Sequence, residues 1–130
     1  MAISVGDMVE VKYNSGRYIG EVLEDRGERY LVKVRAVSKH PVQGDLHNPG
    51  ETEGVVFQVR QALAHHEKMN VVKSAVKKFT GDIPDYAVSL EQSIADIKQH
   101  LSEQDTAFNQ QSLKQINELE QNVYTKSYYK

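Results

Sequence analysis

RYLVKVRAV, residues 29–37, is the clearest strand pattern in this chain. Successive side chains of a β-strand point to opposite faces, so a strand shows a repeat of two residues. One face would carry Tyr30, Val32, Val34 and Ala36, and the other Leu31, Lys33, Arg35 and Val37. Because valine and tyrosine also favour strands, we predict a strand over residues 29–37 with one fully apolar face.

Two shorter strands are predicted before it. Residues 9–13 alternate apolar and polar side chains, and residues 17–25 continue the apolar pattern. Turn signals at residues 14–16 (Asn-Ser-Gly) and 26–28 (Arg-Gly-Glu) separate the three strands. Gly20 lies in the middle of the second strand and indicates a bend or a close approach of another backbone. Three strands joined by tight turns predict a meander.

Further strands are predicted downstream. Residues 55–59 (VVFQV) fit a fourth strand and residues 62–64 (ALA) a fifth, while residues 71–79 fit either a short helix or an edge strand. Short strands with frequent turns are typical of small barrels. We therefore predict an SH3-like β-barrel over residues 1–80.

The pattern changes after residues 80–85, which combine turn residues with helix-start residues. Two stripes then follow helical spacing: Leu90, Ile94, Ile97 and Leu101, and later Phe108, Leu113, Ile116, Leu119 and Val123. Residues 102–105 fit a connector, with Asp105 or Thr106 as the N-cap of the second helix. The fold class predicted is mainly β with C-terminal α. Residues 81–130 would form an antiparallel two-helix hairpin, packed on the barrel or on a second copy of itself.

Composition narrows the function classes. The chain has 130 residues and no cysteine, which excludes disulfides, thiolate metal sites and lipidation through cysteine. The N-terminal residues do not resemble a signal peptide and no stretch approaches a membrane span, so we expect a cytoplasmic protein. Residues 1–80 hold 12 Lys/Arg against 10 Asp/Glu, and residues 81–130 hold 4 against 8. These balances are weaker than the basic bias of a generic nucleic-acid binder.

Residues 39–50 (KHPVQGDLHNPG), called here the proline loop, hold two histidines, two prolines and two glycines. Proline fixes its own φ and restricts the preceding residue, and glycine accepts positive φ. The composition predicts a shaped connection that acts either as a functional loop or as a structural clamp.

Metal binding and catalysis are two candidate functions for this region. His40, His47, His65 and His66, with Asp45 and Glu67, are chemically suited to zinc or iron. However, no His-x-x-x-His or His-x-His spacing is present, and hydrogen bonding within a rigid loop explains the histidines better. The chain also lacks a Gly-x-Ser-x-Gly motif and a phosphate-binding loop. We predict a non-enzymatic protein with no metal, no cofactor and no small-molecule substrate.

Nucleic-acid binding is the alternative. Tyr13, Tyr18 and Tyr30 could form an aromatic rim for stacking, beside a basic stripe of Arg26, Arg29, Lys33, Arg35 and Lys39. The competing interpretation places the tyrosines in the core and the cations on a solvated face. Protein recognition is favoured, because a shaped loop beside basic residues suits steering and docking more than chemistry.

Several motifs together resemble the kinase-associated protein B family of Bacillus-type Firmicutes. They are residues 5–7 (VGD), 16–22 (GRYIGEV), 37–49 (VSKHPVQGDLHNP), 60–64 (RQALA) and 84–86 (PDY). The resemblance implies an SH3-like barrel followed by helices. It also implies an accessory factor of a membrane sensor histidine kinase that feeds the sporulation phosphorelay. The family name includes "lipoprotein", and this chain departs from it in having no cysteine to acylate.

The resemblance supplies no contact residues, so these are predicted from chemistry. A rigid loop with adjacent cations could meet an acidic surface of the kinase. The predicted partner-binding residues are Lys33, Arg35, Lys39, His40, Gln43, Asp45, His47 and Asn48. Membrane association would arise only through the kinase.

Overall fold

A computed structural model describes residues 3–43 and 60–124 of the chain. The strands are β1 (Met8–Tyr13), β2 (Gly16–Asp25), β3 (Arg29–Lys39), β4 (Lys68–Val72) and β5 (Val76–Lys78). A 3₁₀ turn, Lys73–Ala75, connects β4 to β5, and the helices are α1 (Tyr86–Ser102) and α2 (Ala107–Asn122). The strands form one antiparallel sheet in the order β4-β3-β2-β1-β5.

The three strands of the meander are confirmed. Asn14 and Ser15 both have positive φ, 47° and 68°, and form the two-residue turn between β1 and β2. Turns of this hand match the twist of the flanking strands. The close approach predicted at Gly20 is also confirmed: a Cβ there would lie 2.5 Å from the Lys33 carbonyl oxygen and 2.5 Å from Val32 Cγ1. The β2–β3 register shifts beside this glycine.

The prediction of a strand over residues 62–64 is wrong. The backbone amides there bond to side chains instead of to a neighbouring strand: Ala62 N–H donates to Tyr124 Oη (2.8 Å), and Leu63 N–H to Tyr18 Oη (3.3 Å). The ambiguous residues 71–79 contain the end of β4, the 3₁₀ turn and β5, which pairs with β1. The strand predicted over residues 55–59 lies outside the described residues.

A sheet followed by two helices confirms the mainly β class with C-terminal α. Closure into a barrel is not confirmed. Among the described residues β4 pairs only with β3 and β5 only with β1, so the sheet is open. The SH3-like barrel therefore stays a prediction, as does the division of the chain at residues 80 and 81.

Both helical stripes face the interior. Leu90, Ile94 and Leu101 of α1, with Ile116 and Leu119 of α2, are buried in one hydrophobic cluster that also contains sheet residues. Ser89 of α1 reaches the sheet, where its Oγ accepts a hydrogen bond from Val37 N–H at 2.9 Å. Of the two N-cap candidates the structure selects Thr106, whose Oγ1 accepts from Asn109 N–H at 3.1 Å. Helix α1 thus packs on the sheet of its own chain, and α2 packs on α1.

Candidate functional site

The beginning of the proline loop is anchored by His40, which is fully buried. Its Nδ1 lies 2.9 Å from the Pro41 carbonyl oxygen and its Nε2 lies 2.7 Å from Tyr124 Oη. A carbonyl can only accept, so Nδ1 carries the proton and Nε2 accepts from the Tyr124 hydroxyl. The same hydroxyl oxygen accepts from Ala62 N–H. One tyrosine at the C-terminal end of α2 therefore links residues 40 and 62.

Burial lowers the pKa of His40 below its usual value, because the charged imidazolium would lose its hydration. The Pro41 carbonyl and the negative charge of Glu120 oppose this effect. The neutral ring, with both nitrogens hydrogen-bonded, is therefore suited to holding the fold. It is poorly suited to presenting charge to a partner or to moving a proton.

Gln43, three residues after His40, adds a second anchor. Its side chain is 2% exposed, Nε2 donates to the Arg60 carbonyl at 2.7 Å, and Oε1 accepts from Arg60 N–H at 2.8 Å. Nε2 also lies 3.2 Å from the Pro41 carbonyl oxygen. The two hydrogen bonds to the Arg60 backbone hold residues 43 and 60 together. We call His40, Gln43, Arg60, Ala62 and Tyr124 the loop clamp.

The predicted partner-binding residues are thus divided by the structure. His40 and Gln43 face the interior as parts of the loop clamp. Lys39 is exposed, Lys33 is half-buried, and Arg35 is half-buried with its Nη1 3.5 Å from Glu21 Oε1. The remaining three, Asp45, His47 and Asn48, lie outside the described residues.

The aromatic rim expected of a nucleic-acid site is largely in the core. Tyr18 is 1% exposed and Tyr30 is 7% exposed, and Tyr13 is half-buried. Burial raises the pKa of Tyr18 to about 12, which fits a hydroxyl enclosed by protein. Stacking a base requires an exposed ring face, so Tyr18 and Tyr30 offer no stacking platform.

A row of cations that sequence reasoning missed crosses three strands. Lys12 pairs in register with Arg17, and Arg17 pairs in register with Lys39. Residues directly opposite in an antiparallel pair share one face of the sheet. All three line a surface depression of about 310 Å³ together with residues 13–16. We call Lys12, Arg17 and Lys39 the cation row; the two-residue turn at Asn14 and Ser15 was the signal that could have predicted its first pair.

His65 and His66 stack on one another beside Tyr86. The ring centroids of His65 and His66 are 3.7 Å apart, and His65 also stacks on Tyr86 at 5.2 Å. Within residues 3–43 and 60–124, no group of three or more His, Asp or Glu side chains is arranged to hold a metal ion.

A cavity of about 330 Å³ lies between the end of β3, Gln43 and both helices. Its lining is mostly apolar, with Ile97, Leu101 and Phe108 among the wall residues. Ser112 also lines it, is 1% exposed, and has an Oγ without a hydrogen-bond partner in the described part of the chain. Helices α1 and α2 are too short or too polar to cross a bilayer, and the same holds for every helix of the described ranges.

A small antiparallel sheet with two C-terminal helices, in which residues 40, 43, 60 and 62 are tied to one another or to Tyr124, defines a class of β-plus-α modules with a basic row on one face of the sheet. The chain belongs to the kinase-associated protein B family, whose model matches residues 13–124. The family's description links its members to a kinase.

Two relatives support this membership. The chain is 38% identical over 121 residues to kinase-associated lipoprotein B of Bacillus subtilis (strain 168), covering 93% of this chain and 94% of the relative. It is also similar to the crystal structure of kinase-associated protein B from Bacillus cereus. That similarity has a TM-score of 0.80 and 35% identity, and covers 95% of this chain and 100% of the other.

Proposed function

We propose that this chain is a non-enzymatic accessory protein that binds a membrane sensor histidine kinase feeding the sporulation phosphorelay. Membership of a family described as kinase-associated, over most of the chain, is the observation that carries the proposal. The protein would act in the cytoplasm and meet the membrane through the kinase.

The loop clamp supports a binding role for the segment that it closes. Residues 43 and 60 are held together by two hydrogen bonds, and His40 is tied to Tyr124. Fixing the ends of a connection in the free protein reduces the conformational entropy that binding must remove. His40 and Gln43 therefore serve the proposed site as supports, and Asp45, His47 and Asn48 as proposed contacts.

Exposed and half-buried cations of β3 extend the proposed contact surface. Lys33, Arg35 and Lys39 lie along one strand that ends at the loop clamp. Cations at the edge of an interface accelerate association with an acidic partner and select against basic ones. Arg35 is already paired with Glu21, so Lys33 and Lys39 have the larger electrostatic effect in this proposal.

Calorimetry with the cytoplasmic region of the kinase tests the proposal. A variant with Asp45→Ala, His47→Ala and Asn48→Ala, and a second with Lys33→Gln and Arg35→Gln, should each raise the Kd. The control is Lys68→Gln/Lys114→Gln, which removes two exposed positive charges from β4 and α2. If the wild-type chain does not bind the kinase region, the function is wrong. If it binds and both variants match the control, the contact residues are wrong.

The nucleic-acid alternative loses its main support, since Tyr18 and Tyr30 are buried. A salt titration against single-stranded RNA and DNA separates the two classes, because binding through phosphates weakens steeply with salt. Self-association is a separate question. The apolar stripes of both helices contribute to the hydrophobic cluster of their own chain, so we expect light scattering to give the mass of one chain.

A further inference from the structure

We propose that the cation row, Lys12, Arg17 and Lys39, is the docking surface for an acidic helix face of the partner protein. This inference rests on the proposed function, because the helix that it names belongs to the kinase. It adds two residues, Lys12 and Arg17, and the chemistry of the surface that they recognise.

The first argument is the electrostatic repulsion between neighbouring cations of the row. Directly opposed residues in antiparallel strands have Cβ atoms about 5 Å apart, and like charges at that separation destabilise a sheet. The row places Arg17 between Lys12 and Lys39, so it contains two such pairs. Among residues 3–43 and 60–124, none of the three forms an ion pair with a carboxylate.

The nearest candidate for compensation on β1 is already engaged. Glu10 lies two residues before Lys12, and therefore on the same face of the strand. Its carboxylate accepts a hydrogen bond from Ser38 Oγ at 3.0 Å and pairs with Lys77 Nζ at 3.4 Å. Glu10 also lines a neighbouring depression with Lys12 and Arg17, so it offsets part of their charge. The row still holds three cations against one carboxylate that is shared with Lys77, and it therefore stays net positive.

The second argument is shape. The depression that contains the cation row is also lined by Tyr13, Asn14, Ser15 and Gly16, and it contains no acidic residue. The left-handed turn at Asn14 and Ser15 fixes the register that places Lys12 opposite Arg17. The cations therefore project from a rigid sheet. Binding has to order their side chains but not the backbone that carries them.

Spacing and charge select an acidic helix as the occupant. Two inter-strand separations give the row a length of about 10 Å. Carboxylates at positions i, i+4 and i+7 of a helix lie on one face and also span about 10 Å. A nucleic-acid strand would need exposed rings for stacking. Tyr13, which lines the depression, is half-buried, and Tyr18, the aromatic residue next to Arg17, is buried.

The test is an NMR titration of the full chain, labelled with ¹⁵N, at low ionic strength. The probe is an alanine-rich helical peptide with glutamates at i, i+4 and i+7, and the matched peptide has glutamine there. Amide shifts centred on residues 12, 17 and 39 with the glutamate peptide alone support the inference. Equal shifts with both peptides, shifts centred on Lys68 and Lys73, or tighter binding of single-stranded DNA at the same salt would overturn it.

A second arm uses the kinase region and the variant Lys12→Gln/Lys39→Gln, with Lys68→Gln/Lys114→Gln as the control of equal charge. Two exposed contacts should together change the Kd by about tenfold. If the kinase binds this variant as tightly as the control, the inference fails while the proposed function stands. If the kinase does not bind the wild-type chain but the glutamate peptide shifts the row, the proposed function fails and the row remains an acidic-helix site.

Discussion

Replacing Tyr124 with phenylalanine removes one oxygen atom from the centre of the loop clamp. That oxygen donates to His40 Nε2 at 2.7 Å and accepts from Ala62 N–H at 2.8 Å. Both His40 and Ala62 are fully buried, so water has little access to replace either bond. The variant keeps the ring and its packing, and it loses both of these hydrogen bonds.

The magnitude follows from the two groups left behind. A buried donor or acceptor without its partner costs about 1–3 kcal/mol. Loss at both the amide of Ala62 and the ring nitrogen of His40, with partial relaxation, should lower the free energy of unfolding by about 3 kcal/mol. For a slope of about 2 kcal/mol per molar urea, the unfolding midpoint would fall by about 1.5 M.

Urea unfolding monitored by circular dichroism is the assay, with Tyr13→Phe as the matched control. Tyr13 is half-buried, and its hydroxyl makes no hydrogen bond within the described ranges. The control should change the free energy by less than about 0.5 kcal/mol. Equal midpoints for the Tyr124→Phe and Tyr13→Phe variants would refute the assignment of Tyr124 as the centre of the clamp.

A double-mutant cycle localises the effect to the His40–Tyr124 bond. His40→Ala alone removes the imidazole and leaves the Tyr124 hydroxyl without its acceptor. In the double variant this bond is lost only once, so its destabilisation should be smaller than the sum of the two single effects. Strict additivity would show that the two side chains act independently.

Three further outcomes are expected. Because burial lowers the pKa of His40 from its ordinary value of 6.5, the unfolded chain binds the proton more readily. The contribution of His40 to the free energy of unfolding is therefore retained above pH 6.5 and declines as the pH falls toward the folded-state pKa. In unfolding experiments a His40→Gln variant should show a free energy of unfolding that depends less on pH over that range. Gly20→Ala should lower stability by about 1–3 kcal/mol in urea unfolding, because its Cβ would meet the Lys33 carbonyl oxygen at 2.5 Å, and an unchanged midpoint would contradict the close approach. Ser112→Ala should raise the free energy of unfolding by about 0.5–1 kcal/mol, since it removes a buried hydroxyl without a described partner. Ser93→Ala should not, because it loses a hydrogen bond to the Leu90 carbonyl. A scan of thermal unfolding distinguishes the two variants.

Local patterns predicted the parts of the fold that depend on neighbouring residues. The meander over β1 to β3 and the two helical stripes depend on repeats of two and 3.6 residues. The choice of Asp105 or Thr106 as N-cap depends on a contact three residues away, and the structure selects Thr106. The short apolar run at residues 62–64 was assigned wrongly for the same reason. Its pattern fits a strand, but its amides find side-chain partners on Tyr18 and Tyr124, which are 45 and 62 residues away.

At the candidate site, the proline loop also separates what neighbouring residues predict from what contacts between distant residues decide. Its composition predicts a shaped connection and leaves open whether His40 faces a partner or the interior. The answer depends on Tyr124, which lies 84 residues beyond His40 in the chain. No local rule relates two positions so far apart, so the choice between contact and support could not be made from residues 39–50.

Residue order thus specifies strands, helices, turns and family, because these follow from steric and hydrogen-bonding preferences over a few neighbouring positions. Three-dimensional packing specifies which polar side chains are enclosed and which cations lie together. His40 is buried because α2 returns the Tyr124 hydroxyl to it, and the cation row exists because three strands align Lys12, Arg17 and Lys39. The free energies of such contacts depend on distance and solvent exposure, and both are set by the packing of distant segments.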